Sequence, residues 1–95
     1  MLRINVDSEI DQVSIKLEGS ITGIWVDELE SAWRSANAQR DSRPLRLDLR
    51  DIDHIDKAGS YLLALFHCFG TELIASGVLM IDIVQSIEHD WPAHG

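Results

Sequence analysis

Cysteine is almost absent. The chain has one, Cys68, inside an apolar helical region. Without a second thiol it excludes a disulfide-stapled scaffold and fits a reducing, cytoplasmic setting. No apolar run approaches the ~20 residues needed to span a bilayer, and the N-terminus alternates like a strand instead of opening like a signal peptide. Direct membrane insertion is therefore not expected. Basic residues are scarce too. Eight Lys and Arg stand against 16 Asp and Glu, a formal net charge of −8. That balance excludes nucleic acid as a partner, because a phosphate backbone is held by dense Lys and Arg. The acidic excess suits a basic protein surface, or serves solubility alone. A glycine-rich phosphate cradle is missing as well, since only Gly59 stands at a helix opening. The length supports one domain, residues 1–95, with 86–95 a short C-terminal tail. Such a domain buries roughly 60–65% of the surface its unfolded chain exposes.

What is present is periodicity. Leu2, Ile4 and Val6 alternate with Arg3, Asn5 and Asp7, and Val13, Ile15 and Leu17 alternate with Ser14, Lys16 and Glu18. Two period-two runs joined by a polar link read as an antiparallel hairpin. Trp25, Leu29, Ala32, Trp33 and Ala36 fall on one helical stripe. Glu28 and Glu30 near its start, and Arg34 and Arg40 toward its end, suit the helix dipole. A strand over 45–49 follows, then a helix over about 57–75 with Leu62, Leu65, Phe66, Phe69 and Leu73 facing the core, closed by Gly77 as a left-handed cap. Val78 to Val84 reads as the last strand. The expected fold is α/β: a small mixed four-stranded sheet in the order β-β-α-β-α-β. Its crossovers are right-handed, and its alternating strands imply helices on one face only. Pro92 limits any C-terminal helix to a turn or two over Ser86–Trp91. Either Trp91 caps the strip so left open, or the strip serves a partner or a homodimer.

Catalytic and metal constellations are weak. Asp53, His54 and Asp56 crowd one strand-to-helix link, but no second cluster accompanies them, so a solvated loop is the better reading. His67 and Cys68 are helix neighbours about 100° apart, which defeats a shared ligand or a thiolate–imidazole pair. Ser60 and Tyr61 have no candidate base placed beside them. No enzyme activity, metal or cofactor is expected.

The most informative stretch is Pro44 to Ile74. An alternating strand ends in Asp48-Leu49, passes through Ile52 and Ile55, and reaches Asp56-Lys57-Ala58-Gly59 at the start of a long apolar helix. Asp56 is suited to be the N-cap. Gly59 lies in the first turn, where propensity gives no reason for glycine, so another backbone or a partner should come close there. Together Asp48-Leu49, Ile52, Ile55, Asp56 and Gly59 resemble the signature of the STAS domain, typified by anti-sigma-factor antagonists. In that signature Asp-Ser-Ser/Thr-Gly opens the helix. A looser likeness runs over residues 1–84 and includes Glu18-Gly19-Ser20-Ile21 before the first helix.

The resemblance implies a non-catalytic interaction module in bacterial transcription regulation. It would dock an anti-sigma factor of the serine-kinase type through Asp56, Lys57, Ala58, Gly59 and Ser60. The alternative it implies is a STAS subunit of a lipid-trafficking ABC transporter, docking on the ATPase with the same surface. Some STAS domains are thought to bind nucleotides, although nothing here marks a pocket. One departure matters most: the family's two hydroxyl residues fall on Lys57 and Ala58, and the phosphorylated position is the alanine. Ala58 has no oxygen to modify, whereas Ser60 keeps a hydroxyl two positions on.

Overall fold

The computed structural model describes residues 1–90. The hairpin forms as expected: β1 (Leu2–Ser8) and β2 (Val13–Ile21) pair antiparallel, with Leu2 opposite Gly19 and Ser8 opposite Val13. Helix α1 (Trp25–Gln39) then crosses over and delivers β3 (Leu45–Ile55), which lies parallel to β2 with Val13 opposite Leu45 and Ile21 opposite Ile55. Helix α2 (Lys57–Cys68) leads to β4 (Glu72–Ile74), parallel to β3, and α3 (Val78–Asp90) completes the described chain. The sheet runs in the order β1-β2-β3-β4.

One face of this sheet carries Val13, Ile15, Leu17, Leu45, Leu47, Leu49 and Leu73, all buried under the three helices. α1 contributes Leu29, Trp33 and Ala36, α2 contributes Leu62, Leu63 and Phe66, and α3 contributes Met80, Val84 and Ile87. The opposite face stays open and polar, because period two sends every second side chain there. It is laced by ion pairs, Arg3–Glu18 (3.6 Å), Lys16–Asp51 (3.5 Å), Arg46–Glu72 (3.2 Å) and Arg50–Asp48 (2.8 Å). Pairs this exposed each add little stability. The mixed four-stranded sheet with helices on one side is thus as the periodicity implied.

The C-terminal third differs. The expected strand Val78–Val84 is the first half of α3, and the fourth strand is only the three residues Glu72–Ile74. A continuous apolar run does not distinguish a strand from a buried helix. Burial does: Met80, Val84 and Ile87 are inside at helical spacing, while Val78 is 91% exposed. Helix α2 correspondingly stops at Cys68, short of the expected 75, and its exit is turned by Gly70 (φ +89°). Gly77 (φ +85°) opens the way into α3 instead of closing α2. The 13-residue α3 also covers the strip that was expected to be capped by Trp91 or left to a partner, and residues 86–90 belong to this helix. Trp91, expected to cap that strip, lies outside the described residues.

Candidate functional site

The site begins where β3 hands over to α2. Asp56 leaves the strand in an extended conformation (φ −91°, ψ 180°), as an N-cap requires, and its Oδ1 accepts the Gly59 N–H at 2.8 Å. Its backbone N–H donates to the Ile21 carbonyl (3.2 Å), tying the corner to the end of β2. Its other oxygen, Oδ2, accepts the Gly23 N–H at 3.0 Å, from the turn that precedes α1. The Gly59 bond first, and the Gly23 bond with it, hold the Asp56 carboxyl below the ordinary carboxylate range.

Gly59 is buried, and the close backbone is the chain's own. A Cβ there would stand 2.6 Å from the Ile21 carbonyl oxygen, 2.8 Å from Ile21 Cγ2 and 2.9 Å from Ile55 Cγ1. The glycine therefore lets α2 seat against the ends of β2 and β3. The five residues from Asp56 to Ser60 do not share one surface. Lys57 and Ala58 are exposed, Asp56 and Ser60 are half-buried, and Gly59 is inside. Ser60 turns toward α3, in a small cleft lined by Asp82, Ile83, Ser86, Ile87 and Asp90.

Lys57 and Ala58 open instead onto a groove between α1 and α2. Val26, Glu30, Tyr61, Leu62 and Leu65 complete its lining, around about 650 Å³ of open space. A second depression of about 250 Å³ continues it past Trp33, Arg34 and Asn37 to Phe69. The lining is apolar yet exposed: Tyr61 is 66% exposed, Phe69 57% and Leu65 44%. Leu65 and Phe69 had been expected in the core. α2 in fact buries the neighbouring stripe of Gly59, Leu62, Leu63 and Phe66, held by Trp33, whose ring stacks on Phe66 at 4.5 Å and whose Nε1 donates to Thr71 Oγ1 at 2.9 Å.

Tyr61, Leu65 and Phe69 thus form a second apolar stripe that stays largely exposed among the described residues. A readable signal existed, because α2 is apolar on two sides, and a surface helix needs only one apolar face. Exposed apolar patches of a few hundred Å² commonly mark interaction sites.

Asp53 accepts a hydrogen bond from Ser20 Oγ (3.0 Å), and His54 is exposed beside it. Among the described residues no group of three His, Cys, Asp or Glu converges to hold a metal ion. No helix among them is long and apolar enough to cross a membrane.

This arrangement, a mixed sheet with a capped strand-to-helix corner over one helical layer, is a SpoIIAA-like fold. An anti-sigma factor antagonist from Mycobacterium paratuberculosis superposes with a TM-score of 0.78 at 20% identity, covering 99% of this chain and 86% of that one. The anti-sigma factor antagonist SpoIIAA in its unphosphorylated form gives 0.65 at 18% identity, over 87% and 82% of the two chains. An uncharacterised protein with a SpoIIAA-like fold from Shewanella loihica gives 0.62 at 16% identity, over 98% and 82%. At these identities the likeness is one of fold. No protein-family model and no curated protein matches the sequence.

Proposed function

We propose that this protein is a non-catalytic interaction module of the anti-sigma-factor-antagonist type. It binds a kinase-like anti-sigma factor in the cytoplasm, without a phosphorylation step at the usual site. The observation that carries the reading is the position of Ala58: exposed at the first turn of α2, on the rim of an apolar groove that no described residue fills. A phosphate at that point would put about −1.5 to −2 charges into a surface that must be desolvated on docking, which is how such a switch releases its partner. A methyl group there keeps the groove apolar, and Lys57 beside it adds a positive charge. The module on this reading docks constitutively, and its partner is controlled elsewhere. Ser60 does not replace the missing hydroxyl. It faces the cleft with Asp82 and Asp90, where a phosphate would meet two carboxylates.

The test is titration calorimetry of the purified protein with candidate anti-sigma kinases, beside mass spectrometry after incubation with ATP. Binding with an unchanged mass is expected. Stoichiometric phosphorylation, or binding that survives Leu65→Asp, would overturn the reading. Binding instead to a transporter ATPase would keep the groove and replace the partner.

A further inference from the structure

Helix α1 has no side-chain cap: its first amides, Trp25 and Val26, donate to the Thr22 and Gly23 carbonyls of the turn before it. Its N-cap position is Ile24, whose side chain offers no acceptor to the first-turn amides. A helix begins with backbone N–H groups that need acceptors and with a partial positive charge that favours an anion. At this end of the molecule two helices begin side by side, since Val26 of α1 and Lys57 and Ala58 of α2 line the same groove. Among the described residues, Asp56 is the side-chain acceptor that reaches backbone amides at both starts, with Oδ1 on Gly59 of α2 and Oδ2 on Gly23 at the entrance to α1. Gly23 is held with a positive φ of +58°, a conformation that turns its amide but gives the turn little stiffness of its own.

We propose that Asp56 is a shared cap: one carboxylate fixes the start of α1 and the start of α2 together, and so holds the two walls of the groove in register. The Ile21 carbonyl supports the clasp from below, accepting the Asp56 N–H and lying against Gly59. The titratable and charged neighbours along the chain are His54, whose charge favours the carboxylate, then Lys57, and Asp53, which is engaged with Ser20. The β2–α1 turn, Thr22-Gly23-Ile24, carries no titratable group, and the first turn of α1 carries Asp27 and Glu28. Without the second hydrogen bond, the turn carrying Ile24 and Val26 is free to move away from Ala58, Tyr61 and Leu65. The consequence for docking rests on the function proposed above; the clasp itself does not.

Asp56→Ser in the full chain separates the two roles, because serine still caps α2 through the Gly59 N–H but reaches only one amide. Amide hydrogen exchange of the ¹⁵N-labelled protein should show Gly23, Trp25 and Val26 exchanging at least tenfold faster. Gly59 and the β2 and β3 amides should keep their rates, and nuclear Overhauser contacts between the Val26 and Leu62 methyls should weaken. Unchanged exchange at Trp25 and Val26 would overturn the shared cap. So would a uniform rise that includes β2 and β3, which would make Asp56 an ordinary stabiliser of the whole domain. In the parent protein, the Gly23 and Gly59 amide shifts should follow a single acid midpoint, and two separate midpoints would refute one carboxylate serving both. None of these readouts involves a partner, so failure of the clasp and failure of docking are seen separately.

Discussion

Gly59→Ala is the sharpest test of how α2 is seated. In an open helix start this change should stabilise, because alanine is better than glycine by about 1 kcal/mol. Here the new methyl would stand 2.6 Å from the Ile21 carbonyl oxygen. That oxygen cannot easily retreat: Ile21 is registered against Ile55 in the parallel pair and accepts the Asp56 N–H. Overpacking of this kind costs about 1–3 kcal/mol, so the two terms leave alanine destabilising by about 1 kcal/mol. Valine adds methyls toward Ile21 Cγ2 and Ile55 Cγ1 with less propensity gain, and should cost about 3 kcal/mol. For a domain of this size 1 kcal/mol is about 4–8 °C in melting temperature. The melting point should thus fall by about 5 °C for alanine and by about 15 °C or more for valine. Urea and thermal unfolding followed by circular dichroism would measure both. A rise in stability for Gly59→Ala would refute the close approach. Loss of partner binding by a fully stable Gly59→Val would return Gly59 to the docking surface, where the sequence reading had expected it.

The groove and the corner carry further expectations. Ala58→Glu should weaken docking by about 1–3 kcal/mol in calorimetry if the site is desolvated, and Ala58→Ser should accept phosphate from a kinase that still docks. Leu65→Asp should abolish binding while shifting stability within about 0.5 kcal/mol, as expected of a solvent-facing position; a large loss of melting temperature would mean Leu65 is core. Acid should destabilise the protein through Asp56: its folded pKa is lowered, so its contribution is present above the unfolded value of about 3.9 and is lost as pH falls through the folded one. Asp48, lowered chiefly by its Arg50 hydrogen bond, acts in the same direction, so Asp56→Asn should flatten the urea midpoint between pH 5 and 2 only in part. Ile87→Ala should cost about 2–4 kcal/mol because α3 is a core element; a harmless result would restore the reading of this segment as tail.

Three strands of the sheet, α1 and the cap at Asp56 were legible in the sequence because each is written in local spacing. Period two marked β1, β2 and β3, the Leu29–Trp33–Ala36 stripe marked α1, and an acceptor side chain before an apolar helix marked its N-terminus. Residues 78–84 were not legible, since an apolar run carries the same pattern whether strand or helix. Only packing of Met80, Val84 and Ile87 against the rest of the core chose the helix. The burying face of α2 was equally open, because both its stripes are apolar; the fit of Phe66 under Trp33 decided it and left Tyr61, Leu65 and Phe69 outside. The glycine at 59 could be flagged from propensity, but which backbone it admits depends on where β2 ends. The second oxygen of Asp56 finds Gly23 only after the α1 crossover sets β3 beside β2 and brings the helix starts together. Local periodicity specified the elements; contacts between residues far apart in the chain decided which surfaces they buried and which they left exposed.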